Sequence, residues 1–478
     1  MSSYIGRGID QIDNISTLDN LSFNGSDTVF NLTQNSVAFN IISVSALQIQ
    51  IDGIIQVGNF TQTGGSQITF DFTPNSGSVC NSIKHFGVGL LTTVSDGAIT
   101  EAKIGSGAVT SSKIASGVIP TFRPNANPLI INGDMAVAQR GTSATGKSSS
   151  GYYTCDRFKL NPDSLGTWTV TQESLTSGNA YNNGFRKAFR IDCTTADASP
   201  SASDNLSLFQ RLEGQDLQLF KKGTANAEKF TLAFWVKSNK TGTSQVNLRD
   251  GDNTRMVSAT YSISTTNTWE HKVLNFPADT TGAFDNDNAN SLQIEWFLDS
   301  GTDYSSGTAP TTWEASSNAD RNANNLDVGG STDNDFAITG IQLEVGEYTS
   351  STLPPFQHES YADNLARCYR YYYKLIPVTG FRFVGWCQVD NDDTNHVSYI
   401  DFKVDMRIPP TALEQSGTAS HYKIREATTI TCDAVPTFNN ADTWYAQISF
   451  KKSSSGFSQG EILKCGIDGG YLAWSAEL

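Results

Sequence analysis

The segment Asp96-Gly97-Ala98-Ile99-Thr100-Glu101-Ala102-Lys103-Ile104 is echoed ten residues later by Ser106-Gly107-Ala108-Val109-Thr110-Ser111-Ser112-Lys113-Ile114. A third copy opens at Ser116-Gly117-Val118-Ile119 and stops at Pro120. Ile99, Ile104, Val109, Ile114 and Ile119 are the aliphatic anchors, and each unit carries a glycine at a fixed place. One copy is too short to bury them, so burial requires neighbours stacked about a common axis. The period is neither seven nor eleven, which disfavours an ordinary coiled coil. Two readings stand: several chains wound into a short intertwined stalk (residues 91–120), or a solvated Gly/Ser/Ala tether. The regular aliphatics favour the stalk.

Short alternating runs flank the repeat. Leu47, Ile49 and Ile51 alternate with Gln48 and Gln50, then Asp52-Gly53 leads into Ile54-Ile55-Gln56. Asp-Gly between two such runs predicts a type I′ hairpin, whose central residues both need positive φ. Leu292 to Leu298 alternates cleanly, and Phe230 to Val236 is apolar almost throughout, as in a strand covered on both faces. Ala337 to Val345 reads as a strand with a bulge at Gly340. One helix is expected, capped by Ser360 and carrying Tyr361, Leu365, Cys368, Tyr369 and Tyr372 on one face. Only 17% of residues are charged, so polarity comes from turn and β-edge residues. The expected class is all-β. Residues 1–90 form an N-terminal β-sandwich module, 121–375 a jelly-roll sandwich with its terminal helix, and 376–478 a C-terminal β domain.

A formal charge of −15 leaves no cationic stripe for phosphate, so nucleic acid is not an expected partner. Any attachment to an anionic cell envelope must come from local, shape-specific contacts. The seven cysteines are scattered without a Cys-x-x-Cys pair, the usage of reduced, buried thiols in a chain made in a cytoplasm. Neither a signal peptide nor membrane insertion is expected, since no apolar run nears a membrane span.

Motifs for chemistry are sparse. Gly456-Phe457-Ser458-Gln459-Gly460 matches a nucleophile elbow, yet it follows a Lys/Ser loop and no histidine comes after Ser458. The five histidines show no ligand spacing, so no enzyme is expected. Oxygen-rich loops at Asp250 to Asn253 and Asp285 to Asn288 could supply hard ligands to calcium.

Three stretches carry a resemblance. The first is Asn132-Gly133-Asp134-Met135, with Ala138-Gln139-Arg140-Gly141 and Tyr152 to Phe158 after it. The second is Phe209-Gln210-Arg211-Leu212-Glu213-Gly214, joined by Thr231 to Lys237 and Thr268-Trp269-Glu270. The third runs from Ile338 to Gly346, through Pro354-Pro355-Phe356-Gln357, to Cys368-Tyr369-Arg370-Tyr371-Tyr372. Together they resemble the carbohydrate-binding-module-like jelly roll of tailed-phage tail fibre proteins. The repeat and Met406-Arg407-Ile408-Pro409-Pro410-Thr411, read as a strand edge, are similar to other modules of such fibres.

The resemblance implies a homotrimeric fibre on the virion, synthesised in the host cytoplasm. Its N-terminal module would attach to the phage tail or other virion proteins, and its distal end would bind a host-surface glycan or protein. No cofactor is implied beyond a structural calcium near the first and last sandwich strands, where Asp134 and Asp335 fall. Alternatives are a structural virion protein (head fibre, tail adaptor or decoration) and a capsule depolymerase. Sugars need aromatic platforms beside amide and acid groups. The C-terminal region offers Trp386, Tyr399, Tyr422, Trp444, Tyr445 and Trp474, of which Trp386 and Trp444 are expected in the core. The receptor-binding candidates are Asp390, Asn391, Asp392, Asp393 and Asn395 in a loop, with Tyr422 and Tyr445.

Overall fold

The computed structural model describes residues 15–41, 43–86, 104, 127–377, 380–390, 394–453 and 456–478. The chain divides into two compact units, 1–119 and 120–478. Ile99, Val109, Ile114 and Ile119 lie outside the described residues, and Ile104 is exposed.

The first unit is a small sandwich of a four-stranded and a three-stranded sheet. Leu47–Ile51 pairs with Ile54–Gln56 in the expected hairpin, with φ of 52° at Asp52 and 78° at Gly53. Leu47, Ile49 and Ile51 face inward onto Ile68, Phe70 and Ile83, as their alternation required.

The second unit is built on a two-sheet antiparallel jelly-roll sandwich. One sheet has the order Ser143–Lys147, Thr167–Ser174, Lys187–Thr195, Asp335–Val345, Phe230–Ser238, Glu270–Phe276. The other runs Gly151–Tyr152, Lys159–Asp163, Asn205–Glu213, Asn290–Ser300, Gly242–Asp250, Arg255–Ile263, Glu314–Ala315. Between them lie Trp168, Phe234, Trp296 and their neighbours, with Phe234 edge-on to Trp296 at 5.6 Å. Gly340 has a φ of 61° and a side chain there would press on Phe185, so the bulge at this position requires glycine.

The motif residues converge around Gly133. The Asn132 amide donates to the carbonyls of Val137 and Asp156, the Gly133 carbonyl accepts from the Ile341 N–H, and the Gln210 amide reaches the Ile131 carbonyl. The helix Tyr361–Tyr369 starts at the Ser360 cap as expected. Tyr372, placed on its face by spacing alone, instead opens the strand Tyr372–Leu375. Two further one-turn helices, Gly178–Asn182 and Thr302–Ser305, were not legible as periodic runs.

The last hundred residues form a seven-stranded sheet and a smaller one joining Tyr372–Leu375 to Leu472–Ser475 and Glu414–Gln415. The larger sheet has the order Thr429–Thr431, Tyr422–Arg425, Ile462–Asp468, Phe381–Val389, Asn395–Asp401, Tyr445–Lys451, Ala434–Ala441. Met406 to Pro410 is irregular rather than a strand edge. Arg407 there donates to the carbonyls of Asn288, Ala476 and Glu477, tying this region to the sandwich.

Candidate functional site

The inner face of the C-terminal sheet carries Cys387, Val389, Ile400, Ile448, Phe450 and Cys465, which form its core. The outer face follows by alternation. A bulge between Phe383 and Gly385 reverses the parity of the strand, so Phe383 and Trp386 both point outward. Trp386 is 57% exposed and Tyr399, on the next strand, 58%. Trp444 is exposed too. These findings correct the expectation that Trp386 and Trp444 are core residues.

Trp386 and Tyr399 wall a groove of about 590 Å³ with Gln388, Asp390, Asn439, Gln447 and Gln459. Gln447 donates to the Tyr399 hydroxyl oxygen at 2.7 Å and accepts from Asn440 at 2.9 Å, which holds the phenol in place. Phe383 packs edge-on to Trp386 at 5.6 Å, and the Lys464 ammonium sits 5.5 Å from the Trp386 ring centre. Tyr445 is half-buried, with its ring 4.5 Å from Trp444 and 5.8 Å from Tyr399. The surface thus offers flat apolar faces beside amide hydrogen-bonders, the combination that receives a sugar ring.

The loop candidates divide. Asp390 reaches the groove, and its N–H closes the hairpin on the Asn395 carbonyl. Asn395 is half-buried and accepts from the Lys451 ammonium. Asn391, Asp392 and Asp393 lie outside the described residues. Tyr422 is not a contact residue. It is fully buried, donating to the Tyr471 carbonyl at 2.7 Å and accepting from the Ser416 N–H. Its strand turns this position inward, beside Ile424.

The two calcium candidates are not brought together. Asp134 accepts from Asn364 at 3.1 Å and Asp335 from Arg190 at 3.0 Å. Gly133 meets the sheet at Ile341, six residues along the strand from Asp335, a separation of roughly 20 Å. Burial raises the Asp134 carboxyl above its ordinary value. In the loop at Asp250 the cation is internal. The Lys222 ammonium, buried, meets Asp250 at 2.5 Å and Asp279 at 3.1 Å, and donates to the Gly282 carbonyl at 2.6 Å. No group of three or more His, Cys, Asp or Glu suited to a metal occurs among the described residues. Ser458 lies in an exposed loop where its N–H donates to Glu461.

No family model matches the chain, and no curated protein matches it in sequence. Among solved structures it is similar to the enzymatically active domain of Bacteriophage CBA120 tailspike protein 4. That match has 13% identity and a TM-score of 0.24, covering 46% of this chain and 21% of the tailspike chain. A family 11 carbohydrate-binding module of a Clostridium thermocellum cellulase matches at 10% identity, 46% and 96% coverage, and a TM-score of 0.22. A cyclase from Fischerella sp. matches at 11% identity, 46% and 98% coverage, and a TM-score of 0.24. The chain spans about a fifth of the tailspike's length. A tailspike, a sugar-binding module and a cyclase match equally well, so these likenesses favour no activity.

Proposed function

We propose that this chain is a non-catalytic adhesin of a phage virion appendage, and that it binds a cell-surface glycan through the outer face of its C-terminal sheet. The observation that carries the reading is the exposed pair Trp386 and Tyr399 beside Gln388, Asp390, Asn439 and Gln447. Neighbouring exposed aromatics rimmed by polar side chains are the usual mark of a ligand-binding groove. Among the described residues of the groove Asp390 is the one carboxylate, whereas glycoside cleavage usually takes a pair. The motif resemblance supports an N-terminal module that attaches to the particle and a trimer wound through the ten-residue repeat. Weak single contacts then act together, three per fibre.

A glycan array probed with the intact chain and with Trp386→Ala tests this. Selective binding lost in the variant supports it. Absence of binding to any glycan moves the chain to a structural role in the virion, and release of reducing sugar makes it a depolymerase. Light scattering of the intact chain tests the trimer separately, since a stable monomer removes the stalk.

A further inference from the structure

The outer face of the second sandwich sheet holds a small polar pocket that the C-terminal groove does not involve. It has a volume of about 270 Å³ and is lined by Arg211, Arg249, Asp250, Asn290, Gln293 and Thr254, among others. Arg211 and Arg249 flank Gln293 across three adjacent strands, in register with it on either side.

The guanidinium groups here are under-used. Arg249 is 29% exposed, lies 3.9 Å from Glu295, and donates no side-chain hydrogen bond among the described residues. Its Nε is buried without a partner, as is Asn290 Oδ1. Arg211 gives Nε to Gln293 Oε1 at 2.9 Å and lays its guanidinium 5.0 Å from the Phe209 ring centre, leaving both terminal nitrogens free. The nearby carboxylates are already satisfied. Glu295 is held by Arg321 at 2.6 and 3.2 Å, and Asp250 by Lys222. Arg249 therefore shares Glu295 with Arg321 at the longer distance, and Arg211 has no carboxylate partner among the described residues, in a chain whose net charge is −15.

A half-buried guanidinium that donates nothing is costly, and its planar fork matches a carboxylate. The amides and hydroxyls around it suit the hydroxyls of a single sugar ring. We infer that this pocket binds the carboxylate of an acidic sugar, a hexuronic acid unit of a surface polysaccharide, with Arg249 and Arg211 on the carboxylate and Asn290 on a ring hydroxyl. The inference stands apart from the C-terminal groove.

Saturation-transfer NMR and calorimetry on the intact chain with sodium D-glucuronate, D-glucose and inorganic phosphate test it. Glucuronate binds once per chain, at least tenfold tighter than glucose, and weakens with added salt. Arg249→Gln and Arg211→Gln each lose at least tenfold while the thermal midpoint holds. Equal binding of glucose, binding of phosphate but not glucuronate, absence of binding, or full affinity in both arginine variants overturns the assignment. If Arg249→Gln fails to fold, Arg211→Gln alone decides.

Discussion

Arg157 and Glu477, 320 positions apart, meet as an ion pair with side chains 1% and 6% exposed. The Arg157 guanidinium lies 3.4 Å from the Tyr371 ring centre and donates to the Arg211 carbonyl at 2.7 Å. Arg140 adds a second cation to Glu477 at 3.3 Å. The final residues thus close the sandwich and the small C-terminal sheet into one body. Glu477→Gln leaves a buried cation without its counter-ion and is expected to cost about 3–5 kcal/mol. Urea unfolding followed by tryptophan fluorescence measures it, and an unchanged midpoint refutes the assignment.

Lys222 is the cation of the Asp250 and Asp279 loops. Lys222→Met keeps the stem but strands Asp250, and part of Asp279, beside a hydrophobe. A loss of about 3–5 kcal/mol is expected, read as a large drop in thermal midpoint. A variant as stable as the parent would show that the carboxylates have other support.

Burial pushes the carboxyls of Asp156 and Asp299 up to about 6, above an ordinary value of 3.8. Between these values the folded chain holds protons that the unfolded chain has released. Its stability therefore falls as pH rises through that interval, by on the order of 2–3 kcal/mol for each group. Glu213 and Glu295 behave oppositely: burial alone would raise them, but Arg370 with Tyr371, and Arg321, outweigh it and hold them low. Their contribution is present above about pH 4.5 and is lost as pH falls below it. Urea midpoints between pH 3 and 8 should peak at roughly pH 4.5–5. A midpoint that climbs from 5 to 7 contradicts this.

Aromatic residues of the C-terminal sheet should separate into two classes. Trp386→Ala and Tyr399→Ala change stability little, within about 1 kcal/mol, yet weaken glycan binding tenfold or more. Tyr422→Ala costs about 3–5 kcal/mol through the cavity it opens. Paired denaturation and binding curves distinguish them; strong destabilisation by Trp386→Ala would mean that its ring is covered.

All seven cysteines are buried and unpaired. Burial raises the thiols of Cys80, Cys193 and Cys432, Cys432 to about 12, so these three are not reactive thiolates near neutrality. Iodoacetamide at pH 8 should label the native chain negligibly and the urea-unfolded chain at seven positions, counted by intact mass.

Local signals were the legible ones. Asp52-Gly53 and Gly340 announce their conformations because few other residues tolerate positive φ. The groove was half legible. Cys387 and Val389 in the core, with Gln388 out, already place Trp386 outside, but the bulge before it hides that parity from simple counting. Tyr422 misled because an aromatic beside polar residues reads alike on either face of a strand. The junction of Arg157, Glu213, Arg370 and Glu477 was invisible, since nothing local in the sequence links such distant positions.

The strand order of the first sandwich sheet sets a clock. Asp335–Val345 is the last of its strands to be synthesised, yet it sits between Lys187–Thr195 and Phe230–Ser238. The 150 residues from Thr195 to Val345 take about 8–30 s to synthesise at ordinary translation rates. Throughout that delay Lys187–Thr195 lacks its neighbour on one side, and its unpaired backbone is a template for any strand that arrives. Copies emerging from ribosomes on the same message are the closest source of such strands. Recovery of intact chain should then fall as a message is loaded more densely.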